Sequence, residues 1–275
     1  MVKIDILTYA TNYDYVVFER FIGSLNDTGF TGKIYIIIKD TDLKKFDLLK
    51  LKYNNIISLL DDLEINKQIH LNTRRFLVMK KYINFLSLSL DSEYLLLCDF
   101  RDVLFQKNIE NYNYDNNIEL YGFLEGVKIC HEINCNTPWL KKLECIFDEK
   151  FYDNISNEYV ICCGTTIGKI NSIKQYIYTM CDYISKYNII DSLDQGIHNY
   201  LFYVNKFNGI NIKLLSNEDN LVNTVGCDVK KIDENNNIVN KNNEISYIVH
   251  QYDRFPIELK KRISDKYGYD FIKHM

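Results

Sequence analysis

Apolar residues along the chain follow two alternating spacings. Short continuous runs occur at Lys3 to Tyr9 (KIDILTY), Lys33 to Ile38 (KIYIII), Asn55 to Leu60 and Tyr94 to Cys98 (YLLLC). They are too brief for helices, and continuous apolar residues suit strands buried on both faces of a parallel sheet. Between them the spacing is helical. Tyr13 to Leu25 carries Val16, Val17, Phe18, Phe21, Ile22 and Leu25 and stops before Gly29. Asp42 to Leu51 is a second helical segment, with Asp42 as a cap or first-turn acid. Ile69 to Leu90 is a third and bears Arg74, Arg75, Lys80 and Lys81. The order βαβαβαβ implies right-handed crossovers, a mostly parallel central sheet and flanking helices: an α/β domain of the nucleotide-binding type.

The remainder is less regular. Ile118 to Leu124 reads as a strand, and Tyr159 to Ile167 as a strand broken by Gly164. Helices are expected over Thr137 to Ile146, opened by a Thr-Pro pair, over Ser172 to Lys186 and over Asp194 to Tyr203. Short β segments follow near Ile212 to Leu215 and Ser246 to Val249, and the polar stretch Asp233 to Glu244 reads as a loop or mobile hairpin. No internal repeat or Pro/Ser/Gly-rich linker divides the chain. One domain is expected over residues 1–275, with a regular nucleotide-binding half at 1–106 and an acceptor half at 107–275.

Composition narrows the function. Hydrophobic residues at 47% and charged residues at 25% are ordinary for a soluble globular protein. A net charge of -4, a pI near 5.8 and the lack of any Lys/Arg-rich block argue against nucleic-acid binding. No apolar run is long enough to span a bilayer and MVKIDILTYA holds no signal segment, so a cytoplasmic, reducing location is expected. The eight cysteines form no CxxC pair, and Cys162 and Cys163 are adjacent, which matches no common zinc framework. The abundance of Asn, Ile, Lys and Tyr follows AT-rich codons and makes any lone Asn uninformative.

The chemistry concentrates after YLLLC. Asp99, Phe100, Arg101 and Asp102 place two carboxylates and a guanidinium at the carboxyl end of a buried strand, where open α/β sheets bind ligands. Hard divalent cations take oxygen ligands, and Mg²⁺ is usually held by carboxylates together with substrate phosphates. A metal–diphosphate site is one reading; a loop in which one Asp caps the next turn and Arg101 pairs with it is the other. The glycine patterns of dinucleotide and P-loop sites are both missing. Three further segments carry candidate groups: the glycine-containing strand Cys162 to Gly168, the helix opening at Ser192 to Gly196, and Val249 to Arg254 with His250. Asp194 in the second is also a plausible plain N-cap.

Taken together, these features resemble the GT-A fold glycosyltransferases, nucleotide-diphospho-sugar transferases whose DxD-type motif ends the fourth strand of a Rossmann-like domain. The matching features are the βαβαβαβ order, Asp99 and Asp102 after YLLLC, the pair Asp194-Gln195, and His250 before Gln251. Phe21 to Leu25 through Gly29 to Gly32 is similar to the first helix and turn of some of these enzymes. The motif here is DxRD rather than DxD, and Asp99 to Gln106 is similar to a DxRDVxFQ form found in a subset. The resemblance implies a Mn²⁺ (or Mg²⁺) ion held by Asp99, Asp102 and His250, with Asp102 the first-choice carboxylate and the imidazole favouring Mn²⁺. It implies a donor-binding set of Thr8, Arg74, Arg75, Asp99 and Arg254, and catalytic roles for Asp194, Gln195 and Arg101. An inverting reaction would need a base such as Asp194 or Glu125. The implied partners are a nucleotide-sugar donor, UDP-sugar favoured, and a hydroxyl acceptor on a glycan or protein. A catalytically inactive glycosyltransferase-like binding module is the alternative. A sugar nucleotidyltransferase fits less well, because Thr8-Tyr9-Ala10-Thr11-Asn12 lacks the glycines and basic residues of its phosphate loop.

Overall fold

All four apolar runs of the first half form strands: β1 (Ile4–Tyr9), β2 (Ile34–Ile38), β3 (Ile56–Leu60) and β4 (Tyr94–Cys98). They belong to a computed structural model that describes residues 2–64, 69–89, 91–204 and 207–273. Helices α1 (Tyr15–Asp27), α2 (Leu43–Lys50) and α3 (Leu71–Ser89) connect them. Leu90, the last residue of the expected third helix, lies outside the described residues.

The chain continues through β5 (Val103–Phe105), β6 (Leu120–Lys128), α4 (Asn136–Phe147), α5 (Tyr152–Ile155), β7 (Tyr159–Lys169), α6 (Ile170–Lys186) and α7 (Asp194–Tyr203). It then runs through β8 (Ile212–Leu215), β9 (Val222–Thr224), β10 (Lys231–Ile232), β11 (Ile238–Val239), β12 (Ile248–His250) and α8 (Ile257–Tyr267). The polar stretch after β9 is a short antiparallel hairpin of β10 and β11, with Ile232 opposite Ile238. The break expected at Gly164 appears as an irregularity in register rather than an interruption of β7. The strand runs on to Lys169, while its register with β6 shifts between the pairs Gly122–Thr166 and Leu124–Ile161, across Gly164, and again between Leu124 and Lys128.

The seven-stranded sheet has the order β3-β2-β1-β4-β7-β6-β8. Strand β7 runs antiparallel to both neighbours and the other pairings are parallel. Helices on both faces explain the continuous apolar runs. Along β4, Leu95 and Leu97 pack in the core beside α3 and α6, while Tyr94, Leu96 and Cys98 pack against Val17, Phe18 and Phe21 of α1. Every β4 side chain is therefore buried, and a Leu so placed contributes about 1.5–3 kcal/mol through loss of apolar surface from water. A second sheet, β5-β12-β9, stands where the chain leaves β4. Here β12 pairs antiparallel with β5 and parallel with β9, so His250 lies opposite both Val103 and Thr224.

Candidate active site

The four residues after β4 cross from the large sheet to the small one. The Asp99 amide donates to the Gly164 carbonyl at 2.7 Å, which aligns Asp99 with the middle of β7. Phe100 turns away from the crossing and stacks on Phe21, with ring centroids 4.3 Å apart. Arg101 reaches Asp253 at 3.1 Å, and Asp102 leads directly into β5. Because Val103 pairs with His250, the ladder brings the imidazole beside Asp102. His250 Nε2 lies 3.4 Å from Asp99 Oδ2 and 3.7 Å from Asp102 Oδ1. One ligand atom from each of the three lies within 4.8 Å of the others, and among the described residues no second such group occurs.

The two carboxylates differ electrically. Burial opposes charge on Asp99, but Arg75 and His250 outweigh it and hold its carboxyl well below the usual range. Burial raises the pKa of Asp102, and the neighbouring Asp99 charge adds to the rise. For His250, burial opposes the cation, yet Cys162, Asp102 and Asp99 together raise its pKa well above the imidazole range. A positive charge is thus strongly favoured between these groups.

A divalent cation fits this set. His250 is 1% exposed and its Nδ1 lies 3.2 Å from Cys162 Sγ. Burial pushes the Cys162 thiol up to about 11. Nε2 has no hydrogen-bond partner and faces the carboxylates. Without a metal the imidazolium itself supplies the positive charge facing the two carboxylates, and a divalent cation would take the place of its proton there. Gly164 leaves the space: a Cβ there would come 2.3 Å from His250 Cε1 and 2.7 Å from both Nε2 and Asp99 Oδ2. Two carboxylates and an imidazole are donors that Mn²⁺ accepts.

This trio lies in a cavity of about 370 Å³. Arg75 enters it from α3, pairing with Asp99 and, at 2.9 Å, with Asp194 at the start of α7. Gln195 donates to Glu125 Oε1 at 3.2 Å and to Asn136 Oδ1 at 3.1 Å. Glu125 lines the cavity and its pKa is raised by burial. Arg101 and Arg254 also line it.

Two of the expected donor-binding residues do not face the cavity. Thr8 is buried and its hydroxyl donates to the Cys98 carbonyl at 2.8 Å, tying β1 to β4; its chain neighbours Tyr9 and Thr11 line the cavity instead. Arg74 turns about 100° from Arg75 around α3. Its guanidinium holds Asp61 at 2.7 Å and the Leu63 carbonyl at 2.8 Å, and Tyr9 donates to the same Asp61 at 2.6 Å.

Sequence reasoning left out Asn136 and Trp139, and placed Cys162 and Asp253 in candidate segments without giving either a role. For Cys162 a signal existed, because strand alternation puts it on the same face of β7 as Gly164. The others are recruited by tertiary pairing, and no spacing announces them.

Solved structures share this architecture. The galactosyltransferase LgtC, in complex with donor and acceptor sugar analogs, superposes with a TM-score of 0.57 at 10% identity, covering 96% of this chain and 95% of that one. An active-site variant of LgtC gives 0.58 at 10% identity over the same shares. The chain has the fold of a GT-A glycosyltransferase. The bifunctional WbbM, solved without ligand, gives a TM-score of 0.54 at 12% identity, covering 90% of this chain and 45% of that one. No protein-family model and no curated protein sequence matches the chain. Among the described residues, no helix is long and apolar enough to cross a membrane.

Proposed function

We propose that the protein is a metal-dependent, hexosyltransferase-like glycosyltransferase. It moves a sugar from a nucleotide-diphosphate sugar, UDP-sugar favoured, to a hydroxyl acceptor on a glycan or protein. The observation that carries this reading is the trio Asp99, Asp102 and His250 at the carboxyl end of β4, inside a cavity of a GT-A fold. These three residues would hold Mn²⁺, and when bound the ion supplies charge stabilisation for the diphosphate leaving group. The DxRD sequence acts as a widened DxD motif.

The side chains around the trio have separable tasks. Arg75 fixes the ionised form of Asp99 and ties it to Asp194, so that one buried cation sets two carboxylates. Arg101 and Arg254 line the cavity as cations able to meet an anionic donor. Gln195, whose amide donates to Glu125 and Asn136, would orient Glu125 at the cavity wall where the sugar is expected. Glu125 is suited to take the proton of an acceptor hydroxyl, because burial moves its pKa toward neutrality and Asp194 is already paired. The chain acts as one domain over residues 1–275, with the donor handled by 1–106 and the acceptor by 107–275. Hydrolysis of a panel of UDP-sugars with and without Mn²⁺ tests the proposal. Metal-dependent UDP release is expected from at least one donor; none from UDP- or GDP-sugars would overturn it.

A further inference from the structure

Helix α1 buries an arginine in an apolar face. Arg20 is fully buried next to Phe18 and Phe21. Its three hydrogen-bond partners are backbone carbonyls rather than carboxylates. Nη1 donates to Asp270 O at 2.9 Å and Lys273 O at 2.7 Å, and Nη2 donates to Arg101 O at 2.8 Å. The guanidinium also lies over the rings of Tyr252 and Phe271, 5.3 and 5.8 Å from their centroids. Burying a cation without an anion is costly, and a methionine or leucine would fill the space with less penalty. What the guanidinium provides in return is a planar fork that binds oxygens on two sides at once.

The oxygen on one side is that of the peptide joining Arg101 to Asp102. Tyr252 donates to the same oxygen at 2.7 Å, and the Asp102 carbonyl accepts from the Gln251 amide at 2.8 Å. Both carbonyls flanking the Asp102 side chain are therefore held. On the other side is the segment after α8. Asp270 Oδ1 accepts from the amides of Ile272 and Lys273 at 2.8 and 3.1 Å, curling the chain so that two carbonyls meet one nitrogen. Gly23, one turn along α1, seats this segment: a Cβ there would lie 2.3 Å from the Tyr269 hydroxyl, which donates to Asp27 at 2.9 Å.

We propose that Arg20 is a positioning residue for the cation site, clamping the Arg101–Asp102 peptide against the C-terminal segment so that Asp102 presents its carboxylate beside Asp99 and His250. This rests on the reading of those three residues as a divalent-cation site. Two residues separate the carboxylates in this motif, so the second is placed by whatever fixes the intervening peptide, and Arg20 does so from a different element.

The test is Mn²⁺ affinity, measured by calorimetry on the full chain and on Arg20→Met, Arg20→Lys and Tyr252→Phe. Ile177→Ala, in the core on the opposite face of the sheet, serves as a destabilised control. Arg20→Met is expected to raise the Kd by about ten-fold or more, as loss of an outer-shell partner typically does. Arg20→Lys should fall between, because one ammonium cannot span both groups of carbonyls, and Tyr252→Phe should weaken binding less than Arg20→Met. The control should lose thermal stability while its Kd stays unchanged. A wild-type Kd in folded Arg20→Met overturns the proposal. Should that variant not fold, a wild-type Kd in both Arg20→Lys and Tyr252→Phe overturns it. Failure of the unaltered chain to bind Mn²⁺ would instead overturn the cation reading on which it rests.

Discussion

Gly164→Ala is the smallest change that tests the cation site, since it adds one methyl and removes no ligand. The new Cβ would stand 2.3 Å from His250 Cε1 and 2.7 Å from Nε2 and Asp99 Oδ2. Carbon atoms prefer separations of about 3.5–4.0 Å, so the ring or the strand must retreat by roughly 1.2 Å or more. His250 has nowhere to go: it is buried, pinned in β12 between β5 and β9, and in contact with Cys162. Overpacking of this kind costs about 1–3 kcal/mol. At about 2–4 °C per kcal/mol for a chain of this size, the Tm should fall by roughly 2–12 °C. The greater loss is in ion binding, because the methyl intrudes between two ligands. At a hundred times its Kd, Mn²⁺ should stabilise the unaltered protein by about 2.7 kcal/mol, which a thermal-shift titration reads directly. In the alanine variant the Mn²⁺-dependent rise should vanish while unfolding stays cooperative. An unchanged Mn²⁺ response would refute the placement of the ion at this strand.

Three further outcomes follow from the same geometry. Asp102→Ala should leave the fold intact by circular dichroism and lower metal-dependent UDP release by about a thousand-fold; full activity would remove Asp102 from the ligand set. Arg75→Met leaves Asp99 and Asp194 without the cation that links them, and urea unfolding should register a loss of about 3–5 kcal/mol; a loss under about 1 kcal/mol would show the pairing to be dispensable. Burial holds His198 down to about 3, and its Nδ1 lies 2.8 Å from the Tyr176 hydroxyl. The unfolded chain, with an imidazole pKa of about 6.5, therefore takes up a proton that the folded chain refuses. This contribution to stability is intact above about pH 6.5 and falls by about 1.4 kcal/mol per pH unit towards pH 3, or about 2.7 kcal/mol by pH 4.5. His198→Gln should flatten that slope in urea unfolding at pH 7 and 4.5; equal slopes would disprove it.

The central sheet was legible because its residues obey one local rule. Strands covered on both faces are mostly apolar, and the runs that became β2 and β4 say so without reference to the rest of the chain. The carboxylates after β4 were legible for the complementary reason, that charge at the end of a buried strand has no packing purpose. Thr8 and Arg74 were misjudged because both arguments stop at the element. A residue one position away on a strand faces the other side, and one position away on a helix faces another direction, so Tyr9 lines the cavity in place of Thr8, and of the two expected arginines Arg75 alone enters it. Asn136 and Arg20 act through partners far along the chain, and nothing in their own neighbourhoods marks them.

The widened motif carries that point further. With two residues between the carboxylates, strand geometry alone cannot direct both at one ion, since both lie beyond the end of β4. Phe100 is sunk among Phe18 and Phe21, the Arg101 carbonyl is held by Arg20 and Tyr252, and the Asp102 carbonyl is held by Gln251. Phe18, Phe21 and Arg20 all belong to α1, so that one helix governs the path between the two acids. Residues of α1 that never touch the cavity should therefore weaken Mn²⁺ binding when altered, whereas equally buried residues of α6, across the sheet, should affect stability alone.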